Sequence, residues 1–419
     1  MTLRPAKRSA RFLPSLAIGV LLLYSAVILI QQKQALLTGA SDFSCFYSAG
    51  RLVDSGNGSL IYAYEAQRQA QADFIKYVSY RKGPLLYNHA PFELLVFMPL
   101  ALLSYSHATV VWYWLNVIGL LAVPILLRER LAFLKTKVFY AILALAFFLP
   151  ANIALLQGQD SILLLLLFAL GFLQLTKGHD AIAGCIFGLA TFKPHLILPV
   201  ILIMMVTKRW KLMCSFLGTC LALLTVSVLL VGWRAVLEFP RFLIRFSHLP
   251  PDVAGAYPEA MPNLRGLVYV VLNSKASSLV IQVTVIGCSV LLLLLVWISF
   301  YGNSGRMSGI AFSLIVVASL MVSYHLNMHD LTLLILPMFL VADYVAEREL
   351  TPIRLLLGLA AGLLFILPSL NFPPPVMVVA VLLFLAALLK ESLSSETPIP
   401  VRHLPELTPN LRARVSSGD

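Results

Sequence analysis

The sequence predicts an all-α polytopic membrane protein with about 12 transmembrane helices, and three observations carry that expectation. Hydrophobic residues fill 59% of the 419 positions and charged residues only 12%, whereas a soluble domain is roughly 45–50% apolar and about 25% charged. The apolar residues gather in long blocks, and stretches such as 162–170 (I-L-L-L-L-L-F-A-L) do not alternate as the strands of a membrane β-barrel would. The net charge of +12 lies mostly between blocks, where Lys and Arg mark cytoplasmic connections. A further share of it suits anionic lipid or a phosphate-bearing ligand. No basic patch is left for a soluble surface, which excludes nucleic-acid binding.

The basic start (Arg4, Lys7, Arg8, Arg11) precedes an apolar run at 12–30. It is long enough to span and is not followed by a clear small-residue cleavage site, so it reads as an uncleaved anchor with a cytoplasmic start. Residues 32–90 form a first long polar loop outside. Within it, Asp54-Ser55-Gly56-Asn57-Gly58 is a turn signal. The stretch 62–80 combines helix formers with an irregular aromatic stripe and is expected to lie along the membrane surface. The run 91–103 is apolar but short. Reading it as re-entrant or interfacial keeps the basic connection 128–137 inside.

Spans are then expected at 108–127, 138–156 and 160–176. The stretch 180–207 is interrupted at Lys193-Pro194-His195, because proline ends or kinks a helix. A broken helix within a bundle is a place for polar groups in a membrane. A span at 211–232 leads to a second outer loop, 233–278, expected to be irregular from Pro250, Pro251, Pro258 and Pro262. Further spans are expected at 279–300, 308–323, 329–345, 353–368 and 375–390. The tail 391–419, rich in Ser, Pro and Arg, is expected to be disordered in the cytoplasm. Both termini then lie inside. No second interruption matches the one at Lys193, which counts against an inverted-repeat transporter.

The predicted outer face collects Asp42, Arg51, Arg81, Lys82, His89, Gln157, Gln159, Asp160, Lys193, His195, Arg245, Arg265, His325, His329 and Asp330. Ionisable groups at membrane depth are costly and tend to face cavities. An acid converging with several bases suits a phosphate-bearing ligand, whose oxygens match a guanidinium fork. Simpler readings stand beside this one. Asp42 suits a helix cap, Lys193 a snorkelling side chain, Gln157 and Gln159 a turn, and Arg245 and Arg265 ordinary loop solubility. His325 and His329, four apart with Asp330 adjacent, fit polar pairing better than a metal. The five cysteines (Cys45, Cys185, Cys214, Cys220, Cys288) show neither metal-ligand spacing nor a disulfide framework.

Several short motifs stand in order along the chain. They are D-F-S-C-F-Y-S-A-G-R at 42–51, Tyr87-Asn88-His89-Ala90-Pro91-Phe92, Gln157-Gly158-Gln159-Asp160-Ser161, Phe192-Lys193-Pro194-His195, Lys208-Arg209-Trp210, Asn263-Leu264-Arg265-Gly266, and Ser323-Tyr324-His325 with His329-Asp330. In that order, over roughly residues 35 to 345, the chain resembles glycosyltransferase family 87, membrane enzymes of the type-C glycosyltransferase architecture. The resemblance implies a single integral-membrane catalytic domain at 1–390 with a large first extracytoplasmic loop. It implies inverting transfer of a sugar, mannose by analogy, from a polyprenyl-phosphate donor to a lipid or glycan acceptor on the outer side. Asp42 is the position onto which the family's catalytic acid carries. Arg51, Arg81, Lys82, His89, Gln159, Lys193, His195, Arg245, Arg265, His325 and His329 are the candidate donor-phosphate or substrate contacts.

The first loop carries one acid rather than an Asp-x-Asp pair, so these residues secure no divalent metal and no metal ligand is assigned. The expected partners are the polyprenyl-phosphate-linked sugar, the acceptor and membrane lipids, and the expected location is a bacterial cytoplasmic membrane. Other classes stay open at this point: a transporter or flippase of a lipid-linked or phosphate-bearing solute, a polysaccharide polymerase or ligase using a diphosphate-linked glycan, and a noncatalytic assembly protein.

Overall fold

A computed structural model describes residues 9–75, 83–247, 257–273, 275–300, 307–370 and 372–394. Among these residues every regular element is a helix. In chain order they are α1 (Ser9–Gln31), α2 (Lys33–Leu37), α3 (Phe43–Asp54), α4 (Tyr64–Ala72), α5 (Leu94–Ala101), α6 (Tyr105–Leu127), α7 (Ala132–Phe147), α8 (Leu149–Gln157) and α9 (Ser161–Lys177). There follow α10 (Asp180–Leu189), α11 (Pro194–Met204), α12 (Trp210–Ser247), α13 (Leu264–Leu272), α14 (Ser278–Ser299), α15 (Gly309–Val322), α16 (Ile335–Ala346), α17 (Pro352–Ile366) and α18 (Pro374–Ser394). Short 3₁₀ turns join several of them, notably Pro91–Glu93, Ala190–Phe192 and Met328–Leu334.

By length and composition seven helices suffice to cross a membrane, or eight if the bent pair α7–α8 counts as one span. This is a multi-pass membrane protein. Large aliphatic side chains such as Leu217, Leu221, Leu229, Ile286 and Leu291 stay exposed along the long helices, as a lipid-facing surface requires. The remaining apolar helices, at Pro91–Ala101, Ser161–Lys177, Asp180–Phe192, Pro194–Thr207 and Gly309–Val322, are shorter. The helical run at Pro91–Ala101 extends only about 16 Å, half of a hydrocarbon core of about 30 Å.

Three places differ from the sequence expectation, each for a local reason. The stretch 138–156 is not one helix: α7 and α8 meet at a 58° bend. Pro150 has no N–H for the Ala146 carbonyl, and Asn152 Nδ2 donates to that oxygen instead (2.9 Å). The second loop is not irregular from 233, since α12 continues to Ser247 through a kink at Gly232 (φ +80°). Beyond the kink, Val236, Phe239, Leu243 and Phe246 pack against the first-loop aromatics, with Phe239 and Phe242 beside Tyr62. That apolar stripe explains why the segment folds back rather than entering solvent. The surface helix expected at 62–80 ends at Ala72, and residues 76–80 lie outside the described set.

Two packed cores result. The larger one joins the spanning helices. The smaller one is built from α3, the 3₁₀ turn Gly58–Leu60 with the adjoining Ile61 and Tyr62, α5, the start of α6 and the far half of α12. The candidate site lies where these two cores meet.

Candidate active site

The segment Gln157-Gly158-Gln159-Asp160-Ser161 sets the geometry. Gly158 ends α8 in the left-handed region (φ +64°), and a Cβ there would stand 2.7 Å from the Phe43 Cβ. Its carbonyl accepts from Trp112 Nε1 at 2.8 Å. The turn is therefore held against the start of α3, and each polar side chain in it reaches a different partner. Gln157 Oε1 pairs with His329 Nδ1 (2.7 Å). Gln159 Nε2 donates to Asp42 Oδ2 (2.6 Å). Asp160 and Ser161 turn to Lys193.

Asp42 immediately precedes α3 but makes no side-chain cap bond to it. Its carboxylate is oriented by Gln159 across the cavity wall, and among the described residues Oδ1 accepts no protein hydrogen bond. The simpler helix-cap reading does not describe this carboxylate.

Lys193 sits at the break between the 3₁₀ turn Ala190–Phe192 and α11, with Pro194 in the first turn of α11. Its Nζ donates to Asp330 Oδ1 (2.6 Å) and Ser161 Oγ (2.8 Å) and lies 2.7 Å from Asp160 Oδ1. Asp330 is fixed in turn by Ser161 Oγ (3.0 Å) and the Asn327 backbone N–H (3.0 Å). On the far side of Asp160, His89 Nδ1 lies 3.4 Å from Oδ2 and 2.8 Å from Glu93 Oε2. Asp160 is fully buried, and Lys193, Asp330 and Glu93 are 2–3% exposed. Lys193 is thus a buried ion-pair centre, and a phosphate reaching it would have to displace a carboxylate.

The cationic side of the cavity comes from the second loop and the 323–330 segment. Asn263 caps α13 by accepting from the Gly266 N–H (3.0 Å), while its Nδ2 donates to the Ser323 carbonyl (2.6 Å). Gly266 is required here, because a Cβ would fall 1.9 Å from the Met261 carbonyl oxygen. The Asn-Leu-Arg-Gly motif therefore docks α13 against 323–325 and holds Arg265 in place. The Arg265 guanidinium stacks 3.9 Å from the Tyr324 ring centroid and donates to the Tyr324 carbonyl (2.9 Å). Among the described residues it has no carboxylate within ion-pair range, unlike Lys193. Partial burial pulls its pKa below the ordinary guanidinium value, the mark of a cation that gains from an anionic ligand. Burial likewise outweighs the Asp330 carboxylate and keeps His325 neutral, lowering its pKa to about 4. Asn327 Nδ2 lies 3.2 Å from His325 Nε2, which fits that nitrogen as an acceptor.

These groups surround a cavity of about 570 Å³. Asp42 and Gln159 line it together with Asn88, His89, Lys193, His195, Arg265, His325, His329 and Asp330. Phe239, Leu243, Ile244 and Phe246 of α12 form an apolar wall of the same cavity. His195 contributes a buried Nε2 without a hydrogen-bond partner.

Of the sequence candidates, the cavity brings together Asp42, His89, Gln159, Lys193, His195, Arg265, His325 and His329. It does not include Arg51, which is exposed beside Asp73 (3.6 Å), or Arg245, which is exposed and paired with Glu238. Arg51 lies on α3 and Arg245 on the far half of α12, and each side chain is directed to a local acid. Arg81 and Lys82 lie outside the described residues. Glu93 and Ser161 are the participants that the sequence candidates omitted. The signal for Glu93 was available: it is the sole acid in the apolar run 91–103, where an unpaired charge is costly.

With this geometry in hand, comparison with known proteins gives one match. A family model, glycosyltransferase family 87, matches residues 87–324. The matched range holds His89, Gln159, Lys193, His195 and Arg265, while Asp42 precedes it and His325 and His329 follow it. No curated protein and no solved structure matches.

Proposed function

The chain belongs to glycosyltransferase family 87, and on that premise we propose that it is an inverting transferase using a polyprenyl-phosphate sugar, mannose by family analogy. The acceptor is a lipid or glycan on the extracytoplasmic side of a bacterial cytoplasmic membrane. Both termini are cytoplasmic, and the shorter helices complete a type-C architecture of about 12 crossings.

The observation that carries this reading is the composition of one cavity: the Asp42 carboxylate, the ion-pair-free Arg265 and the apolar α12 wall. Each answers a need of the reaction. The acceptor hydroxyl gives its proton to Asp42 as its oxygen attacks the anomeric carbon. The bond from that carbon to the phosphate oxygen breaks on the opposite face, so the configuration inverts. The polyprenyl phosphate leaves with the bonding electron pair, and Arg265, with the imidazoles around it, stabilises the growing phosphate charge. The isoprenoid chain lies along Phe239, Leu243, Ile244 and Phe246. Gln159 is a positioning residue that sets the Asp42 carboxylate. Lys193 holds the cavity floor together.

The test is transfer by purified protein in nanodiscs from a panel of labelled polyprenyl-phosphate sugars to native lipid and glycan extract. The reading requires a labelled product from one of them. A folded protein that neither transfers nor binds polyprenyl phosphate in competition would overturn it.

A further inference from the structure

Behind the cavity floor lies a group of side chains that the transfer reaction does not use. His89, Glu93 and Asp160 each offer one ligand atom, and those atoms lie within 4.8 Å of one another. His89 Nδ1 is 2.8 Å from Glu93 Oε2 and 3.4 Å from Asp160 Oδ2. Around a single ion bonded at about 2.1 Å, ligand atoms stand roughly 3.0–3.4 Å apart in octahedral or tetrahedral arrangements. The two spacings from His89 lie near those values, and the Glu93 and Asp160 oxygens, within 4.8 Å of each other, would close onto one ion by side-chain rotation.

Three further observations separate this group from an ordinary acidic cluster. The first is burial: Asp160 is 0% and Glu93 2% exposed. The second is hydrogen bonding. His89 Nδ1, both Glu93 oxygens and both Asp160 oxygens are buried and, despite the short distances, none makes a hydrogen bond of acceptable alignment. Buried carboxylate oxygens in a dry interior need a partner, and neither Glu93 oxygen makes a hydrogen bond. The third is charge. The connected carboxylates are Glu93, Asp160 and Asp330, and the one fixed cation among them is Lys193. Even with a protonated imidazole the three carboxylates outnumber the cations of that set, and a divalent ion taking the place of the His89 proton would bring it to neutrality.

We propose that His89, Glu93 and Asp160 bind one divalent transition-metal ion, Zn²⁺ or Mn²⁺, through His89 Nδ1, a Glu93 carboxylate oxygen and Asp160 Oδ2. One imidazole with two carboxylates is a donor set that both ions accept. Asp160 bridges its two neighbours, with Oδ2 toward the ion and Oδ1 on Lys193. His89 borders the cavity, so the ion enters from there. The ion ties the 83–93 segment to the Gln159-Asp160 turn that orients Asp42. The site goes beyond the sugar-transfer reading and does not depend on it.

The experiment uses full-length protein in nanodiscs, stripped with EDTA and dialysed, then titrated separately with Zn²⁺ and Mn²⁺. Isothermal calorimetry and the thermal midpoint are the readouts. One equivalent of at least one ion should bind and raise the midpoint. E93Q should weaken that affinity at least tenfold and abolish the midpoint shift, and H89N should do the same. If E93Q does not fold, the wild-type titration and H89N still decide. Absence of stoichiometric binding to folded wild-type protein overturns the proposal. So does binding that folded E93Q or H89N retains at wild-type affinity.

Discussion

Replacing Lys193 with Met removes the ammonium and keeps most of the side-chain volume. In the wild type that ammonium touches Asp160, Asp330 and Ser161 at 2.6–2.8 Å in a nearly solvent-free setting. Loss of one partner from a buried ion pair leaves an uncompensated charge, at a cost of about 3–5 kcal/mol. Here two carboxylates lose their partner, so K193M should fall at the upper end of that range. The elements tied together are the α8–α9 turn, the α10–α11 break and the segment before α16. Their separation should lower the thermal midpoint by many degrees in a scanning fluorescence assay. K193M/D330N removes one of the stranded charges and should recover part of the loss. That recovery is expected because removing both members of a pair costs much less than removing one. A K193M protein with wild-type midpoint and weakened donor binding would refute the reasoning, since it would make the ammonium a free phosphate ligand.

Arg265 should behave in the opposite way. R265A gives up a charge-assisted contact worth about 1.5–3 kcal/mol, so kcat/KM for the donor should fall about 10- to 150-fold, while the thermal midpoint stays within a few degrees. A steady-state series over donor concentration checks it. The His325 imidazole gives a pH signature. Its folded pKa of about 4 lies below the ordinary value of about 6.5, so its contribution to stability is present above about pH 6.5 and is lost as pH falls toward 4. Thermal midpoints measured from pH 7.5 to 4.5 should drop more steeply for wild type than for H325Q, and parallel curves would remove His325 as the cause.

Much of this architecture is readable from the order of residues, and the parts that are not share a physical cause. The break at Lys193-Pro194 follows from proline chemistry, and the Gln157–Ser161 and Asn263–Gly266 motifs occupy the turns that build the cavity. Direction is what a sequence hides. Arg51 and Arg245 stand in polar stretches of the sequence, but they meet Asp73 and Glu238 rather than the cavity. Lys193 reads as a phosphate contact until its two carboxylate partners, 33 and 137 positions away, are seen beside it. Glu93 stands out as the sole acid of the run 91–103, but the apolar residues around it do not reveal His89 and Asp160 as its neighbours. The extension of α12 past Gly232 depends on aromatics of the first loop, a partner that local composition does not reveal.

Asp42 is proposed as the base of the sugar-transfer cavity that it lines. The most direct measurement is transfer from labelled polyprenyl-phosphate sugars by wild type and D42N, run side by side in nanodiscs with matched thermal midpoints. Asn retains the shape and one oxygen but cannot take the acceptor proton. Wild type should give product, and D42N should lose turnover by about 10²- to 10⁴-fold, with donor binding largely retained. Turnover by D42N at the wild-type rate would contradict it.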